Sequence, residues 1–106
     1  PAVDIVEEKS RFVLRADVPG VNPKDVDVSM DNGILSVSGQ RLAIDPGEDA
    51  GVQRLERATG RFLRRFTLPE TADAEAIAAK YANGILEVTI PKAPEIQARR
   101  ITVEAA

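Results

Sequence analysis

An all-β domain of antiparallel strands is predicted by three features of this 106-residue chain. The segment Asn32-Gly33-Ile34-Leu35-Ser36-Val37-Ser38 returns fifty-one residues later as Asn83-Gly84-Ile85-Leu86-Glu87-Val88-Thr89. An Asn-Gly pair supplies the positive φ angles of a tight type I′ turn, and the alternation after it fits a strand with one apolar and one polar face. The same period of two recurs elsewhere, with Val26, Val28 and Met30 set against Asp27, Ser29 and Asp31. The length suits one core and is too short for two.

The elements follow in order. Val3 and Ile5 alternate with Ala2 and Asp4 in a short first strand before the charged break Glu7-Glu8-Lys9-Ser10. Phe12, Leu14, Ala16 and Val18 share one face of a second strand, opposite Val13, Arg15 and Asp17, and Pro19-Gly20 stops it. Val26 to Met30 is the third, and the Asn32-Gly33 turn hands the chain to a fourth over Ile34 to Arg41. On that strand Leu35 and Val37 face inward and Ser36 and Ser38 face water.

From Leu42 to Gln53 the composition changes, with Asp45-Pro46-Gly47-Glu48-Asp49 and Gly51 around the apolar stretch Leu42-Ala43-Ile44. A loop this long in a small domain usually has a function, although a tolerated surface excursion is the plain alternative. Arg54 to Leu68 comes next, with Phe62, Arg64, Phe66 and Leu68 on one side of its far half and a bend at Thr59-Gly60. Residues 73 to 82 are ambiguous. The alanines at 74, 76, 78, 79 and 82, with Thr71 as a cap, favour a helix by propensity. Period two instead puts Ile77, Ala79 and Tyr81 on one face, and symmetry with the first Asn-Gly hairpin favours a strand paired with Leu86, Val88 and Ile90. Pro91 to Pro94 close the domain, and Ile101-Thr102-Val103 stands as an apolar pair in a polar tail.

Composition narrows the function. With a formal net charge of −3 and no apolar run near the roughly 18 residues of a membrane helix, nucleic acid and bilayer are poor partners. The absence of cysteine suits a reducing, cytoplasmic setting. No signal peptide is visible, and the opening at Pro1, already in strand-like sequence, leads us to expect an N-terminal portion outside this chain. With neither histidine nor cysteine, the usual general base, thiol nucleophile and zinc ligands are missing, and no P-loop or Gly-x-Gly-x-x-Gly is present. The acids 45 to 49 lack the spaced ligands of a calcium loop. The expectation is a protein with no catalytic residues, no cofactor and no metal. The five arginines at 54, 57, 61, 64 and 65 are no basic patch, because Arg61 and Arg65 fall opposite the Phe62/Phe66 face that Arg64 shares. Arg64 either snorkels to water or is paired at an interface.

Four segments together resemble the small heat shock proteins, whose common part is the α-crystallin domain. They are Phe12-Val13-Leu14-Arg15-Ala16-Asp17-Val18-Pro19-Gly20-Val21, Gly60-x-Phe62-x-Arg64-x-Phe66-x-Leu68-Pro69, Ala79-x-x-x-Asn83-Gly84-Ile85-Leu86 and Ile101-x-Val103. Their order covers nearly the whole chain, and the long loop resembles the bacterial and plant branch. The resemblance implies an immunoglobulin-like sandwich of two antiparallel sheets, with residues 73 to 82 as a strand. It implies an α-crystallin domain over residues 1–93, including a dimerisation loop at 42–53, and a C-terminal extension over 94–106. It implies that Leu42, Ala43 and Ile44 cross to a partner and pair beside its Val3 and Ile5, that Arg64 lies near the dimer interface, and that Ile101 and Val103 dock in another subunit's groove at Val26, Val28, Met30, Ile77 and Ala79.

The implied activity is that of an ATP-independent holdase, which binds partly unfolded proteins as dimers assembled into larger homo-oligomers. The physics suits it, since an apolar sheet edge is sticky until covered and an extended client segment can take the place of a tail. A β-sandwich co-chaperone of the p23 kind is the alternative, although it needs neither crossing loop nor Ile-x-Val tail. A carboxylate-based hydrolase is more remote, because it needs two acids held across a pocket.

Overall fold

The computed structural model describes residues 1–94 and 101–106. Among the described residues seven strands form two antiparallel sheets, as the alternation demands. They are β1 (Val3–Glu7), β2 (Arg11–Asp17), β3 (Val26–Asp31), β4 (Ile34–Arg41), β5 (Gly60–Thr67), β6 (Ala78–Ala82) and β7 (Ile85–Pro91). One sheet has the order β1-β2-β7-β6 and the other β3-β4-β5. The sandwich implied by the resemblance is the observed architecture.

Both Asn-Gly turns are real. Asn32 and Gly33 have φ of 50° and 76°, and Asn83 and Gly84 have 54° and 76°, so each pair occupies the left-handed region that a type I′ turn requires. The internal echo extends beyond the turns. The Gly33 carbonyl accepts from the Leu68 N–H at 2.9 Å, just after β5, and the Gly84 carbonyl accepts from the Val18 N–H at 2.8 Å, just after β2. Each hairpin is thus tied in the same way to a third strand ending in a Val-Pro or Leu-Pro step.

The core lies between the sheets. Phe12, Leu14, Ala16 and Val18 from β2 and its end meet Leu35 and Val37 from β4 and Leu86, Val88 and Ile90 from β7. A fully buried Val, Leu or Ile contributes about 1.5–3 kcal/mol before entropic costs, so these central strands hold the fold.

The structure refines three readings. Val13 does lie on the outer face, but it is only 1% exposed, because the register places Val6 and Thr89 on either side of it. The fifth strand begins at Gly60, and residues 54–59 form no regular structure. The alanine-rich stretch is a strand, preceded by a single 3-10 turn over Ala74–Ala76 that Asp73, not Thr71, caps through its carboxylate. Cross-strand pairing with β7 overrides alanine's helical propensity here.

Candidate functional site

The strand order leaves β3 and β6 as edges of different sheets, and a groove runs between them. Period two turns Val26, Val28 and Met30 of β3 inward, where they are half-buried rather than covered. Alanine on β6 fills little of the space opposite. The groove holds two adjoining depressions. One, of about 150 Å³, is lined by Val26, Val28, Ala79, Tyr81 and Leu86. The other, of about 280 Å³, is lined by Val28, Met30, Ala74, Ile77 and Ala79. Val28 and Ala79 border both, so the structure brings together all five residues expected there.

Tyr81 is the anchor that sequence reasoning passed over. Its ring forms part of the groove, and its hydroxyl donates to the Val18 carbonyl at 2.9 Å, which ties edge strand β6 to the end of β2. Its parity with Ile77 and Ala79 was the available signal. On the opposite face Lys80 and Arg15 both reach Glu87, at 3.4 and 3.2 Å, so the sheet beside the groove carries its own charge compensation.

A second cluster of expected residues lies on the β1/β5 side. Val3 packs against the core, and Ile5 is 42% exposed on edge strand β1. Arg64 is on the inner face of β5, in register with Val37 and between Phe62 and Phe66. Its Nη1 donates to the Pro1 carbonyl at 2.8 Å, and its guanidinium stands 5.2 Å from the Phe66 centroid. The side chain is exposed and pairs with main chain, so among the described residues of one protomer no buried carboxylate depends on it.

Between β4 and β5 the chain leaves the sandwich. Arg41 Nη1 donates to the Ala58 carbonyl at 3.3 Å and so joins the two ends of this excursion, while its buried Nε finds no partner. Leu42, Ala43 and Ile44 are exposed and form no strand in the single chain. Val52 and Leu55, which the sequence reading left aside, are equally bare, at 55% and 85% exposed. Ile101 and Val103 are 82% and 91% exposed. These apolar side chains are available to a neighbour.

Titration adds little to these surfaces. The hydrogen bond from Arg11 holds the Glu8 carboxyl below its usual range. A depressed carboxylate stabilises the fold above its unfolded pKa and loses that effect as pH falls through the lowered value. Among the described residues no group of three or more acids could hold a metal ion, and no helix is long and apolar enough to cross a membrane.

Comparison with known proteins agrees with this geometry. The model of the Hsp20/alpha crystallin family matches residues 4–104. Spore protein SP21 of Stigmatella aurantiaca is 40% identical over the whole chain, which spans 63% of that protein. Small heat shock protein C2 of Rickettsia felis is 38% identical over 98% of the chain, which spans 68% of it. Among solved structures, a small heat-shock protein from Xylella fastidiosa superposes with a TM-score of 0.86 at 46% identity, covering 99% of this chain and 96% of that one. The hspA structure from Xanthomonas axonopodis gives 0.78 at 50% identity, covering 89% and 94%. Family model, relatives and fold coincide, and the chain belongs to the Hsp20/alpha crystallin family of small heat shock proteins.

Proposed function

We propose that the chain acts as an ATP-independent holdase that captures partly unfolded proteins and keeps them from aggregating. The observation that carries this reading is the apolar groove between two unpaired edges, with room for alternate side chains of an extended segment. Binding needs no nucleotide, because burial of the client's exposed apolar surface drives it. The family membership supports the reading, and so does the high-order structure described for the Xylella fastidiosa protein.

Assembly in this proposal uses two contacts. Leu42, Ala43 and Ile44 cross to a second copy and pair beside its Val3 and Ile5, near Arg64. The exposure of Val52 and Leu55 supports a second reading, in which that part of the loop crosses instead. Ile101 and Val103, one residue apart, project to the same side of an extended tail and fill the two depressions of another subunit. Residues 1–93 are then the structural domain and 94–106 its linking extension, in a cytoplasmic protein without catalytic activity.

The test is aggregation of a heated model client followed by light scattering, with and without ATP. We expect suppression that ATP does not change. Scattering equal to that of the client alone, at equimolar chain, overturns the proposal. Ile101→Ala with Val103→Ala is expected to shift larger species toward dimers and to bare the groove to an apolar dye, and unchanged sedimentation and dye binding would remove the tail from the scheme.

A further inference from the structure

The outer face of β3-β4-β5 carries a charge pattern that neither groove nor loop uses. Opposite the inward valines, Asp27, Ser29 and Asp31 of β3 face solvent. The register sets Asp27 beside Ser38 and Leu63, Ser29 beside Ser36 and Arg65, Asp31 beside Ile34 and Thr67, and Gln40 beside Arg61. One edge strand therefore presents carboxylates and the other presents guanidinium groups. The strand between them contributes two serines, Gln40 and Ile34 to this face. The two charged strips lie two strand spacings apart, about 10 Å. All four charged residues are exposed, and the ion pairs among the described residues include none of them.

Such a face is complementary to its own copy. A two-fold axis running along β4 lays β3 of one chain on β5 of the other, acid on base, and does so twice. The register interleaves the charges as well. Arg65 of the second copy falls in the row of Ser29, between Asp27 and Asp31, and its Arg61 falls one row beyond Asp27, toward Asp25. Ser29, Ser36 and Ser38 are short enough for two sheets to approach to the usual ~10 Å. An open depression of about 600 Å³ bordered by Lys24, Asp25, Asp27, Ser38, Gln40 and Arg61 gives room for the second copy's Leu63, which is 51% exposed.

We propose that the outer face of β3-β4-β5 is a contact between two copies of this chain, in which Asp27 and Asp31 of each meet Arg61 and Arg65 of the other. The contact is independent of the loop and the tail, which use strand edges and the groove. Exposed ion pairs are individually weak, so the association is reversible and depends on their number. It is sensitive to ionic strength, because the screening length falls from about 10 Å at 0.1 M salt to about 3 Å at 1 M.

The experiment uses the full chain carrying Ile101→Ala and Val103→Ala, so that a failure of the tail scheme is read separately. Sedimentation at low and high salt follows this parent, an Arg61→Glu/Arg65→Glu version, an Asp27→Lys/Asp31→Lys version, and an equimolar mixture of the two. We expect the parent to form species above the dimer at low salt and to lose them at high salt. Each charge-reversed chain should weaken this association by roughly tenfold or more, and the mixture should restore it, since every strip again faces its opposite. Circular dichroism confirms folding, and where a reversed chain loses its sheet signal Arg61→Gln/Arg65→Gln replaces it with the same expected loss. A parent with no salt-sensitive assembly, reversed chains that assemble like the parent, or a mixture that stays dissociated each overturns the proposal.

Discussion

Two residues on the inner face of β3-β4-β5 show how much a single position can be asked to do. Arg64 looks costly in the sequence, a cation in an apolar stripe, and leaving a buried partner orphaned would cost several kcal/mol. The structure lowers that figure. Its contacts are one main-chain carbonyl and the Phe66 ring, both at an exposed site, which together are worth about 1–2 kcal/mol within the protomer. Arg64→Ala is expected to lower the urea midpoint by that amount, and a larger loss in the assembled form than in the dissociated one would place the remainder at an interface. Gly39 is the opposite case, a residue that attracts no notice in the sequence. A Cβ there would come within 2.7 Å of Phe62 Cζ and 2.9 Å of the Asp25 carbonyl oxygen. The ring can turn aside, but the backbone oxygen cannot. Gly39→Ala is expected to cost about 1–3 kcal/mol, the range for overpacking, and a chemical denaturation midpoint equal to the parent's would show that the backbone at Asp25, just before β3, yields freely.

At the scale of elements, the strands with a clean period of two were legible from sequence, because alternation fixes which side chains face the core. Parity names a face but not its neighbours, so it places Val13 opposite the core without revealing that Val6 and Thr89 flank and cover it. Over residues 73 to 82, hairpin symmetry and the family resemblance favour a strand against local propensity. The helical propensity of this stretch is local and its strand pairing with β7 is not, and the tertiary term wins. The two Asn-Gly turns look equivalent in sequence yet differ in surroundings. At Gly33 an added methyl meets only the Leu68 carbonyl at 3.8 Å, whereas at Gly84 it meets Pro19 at 3.1 Å. Gly33→Ala should therefore cost about 1–2 kcal/mol for the positive φ alone, and Gly84→Ala measurably more in thermal melts. The loop allows a similar comparison. Leu42→Ser with Ile44→Ser is expected to dissociate the dimer, and Val52→Ser with Leu55→Ser to leave it intact. The reverse result in sedimentation would move the crossing strand to the second segment.

For the whole molecule, the groove was legible as a list of residues through family resemblance, and its geometry came from the strand order, which no local pattern encodes. Five named side chains on two edges became two depressions only once β3 and β6 were seen to end different sheets. The outer charge pattern was hidden for the same reason, since Asp27 and Arg65 are distant in sequence and neighbours only through β4. The paired turns have a further consequence, and it is chemical. Asparagine is among the thermolabile residues, and a following glycine, lacking a Cβ, leaves its amide nitrogen free to attack the Asn side chain and expel ammonia. Asn32 and Asn83 are therefore the places where this protein should age. Hydrolysis of the resulting ring adds a negative charge, and its isoaspartyl product adds a backbone atom inside a two-residue turn whose length sets strand register. Prolonged warming should yield acidic forms whose modified peptides contain Asn32 and Asn83, with lower melting temperatures than the fresh chain. Useful lifetime would then be set by the chemistry of two amides, even while the fold remains thermodynamically secure.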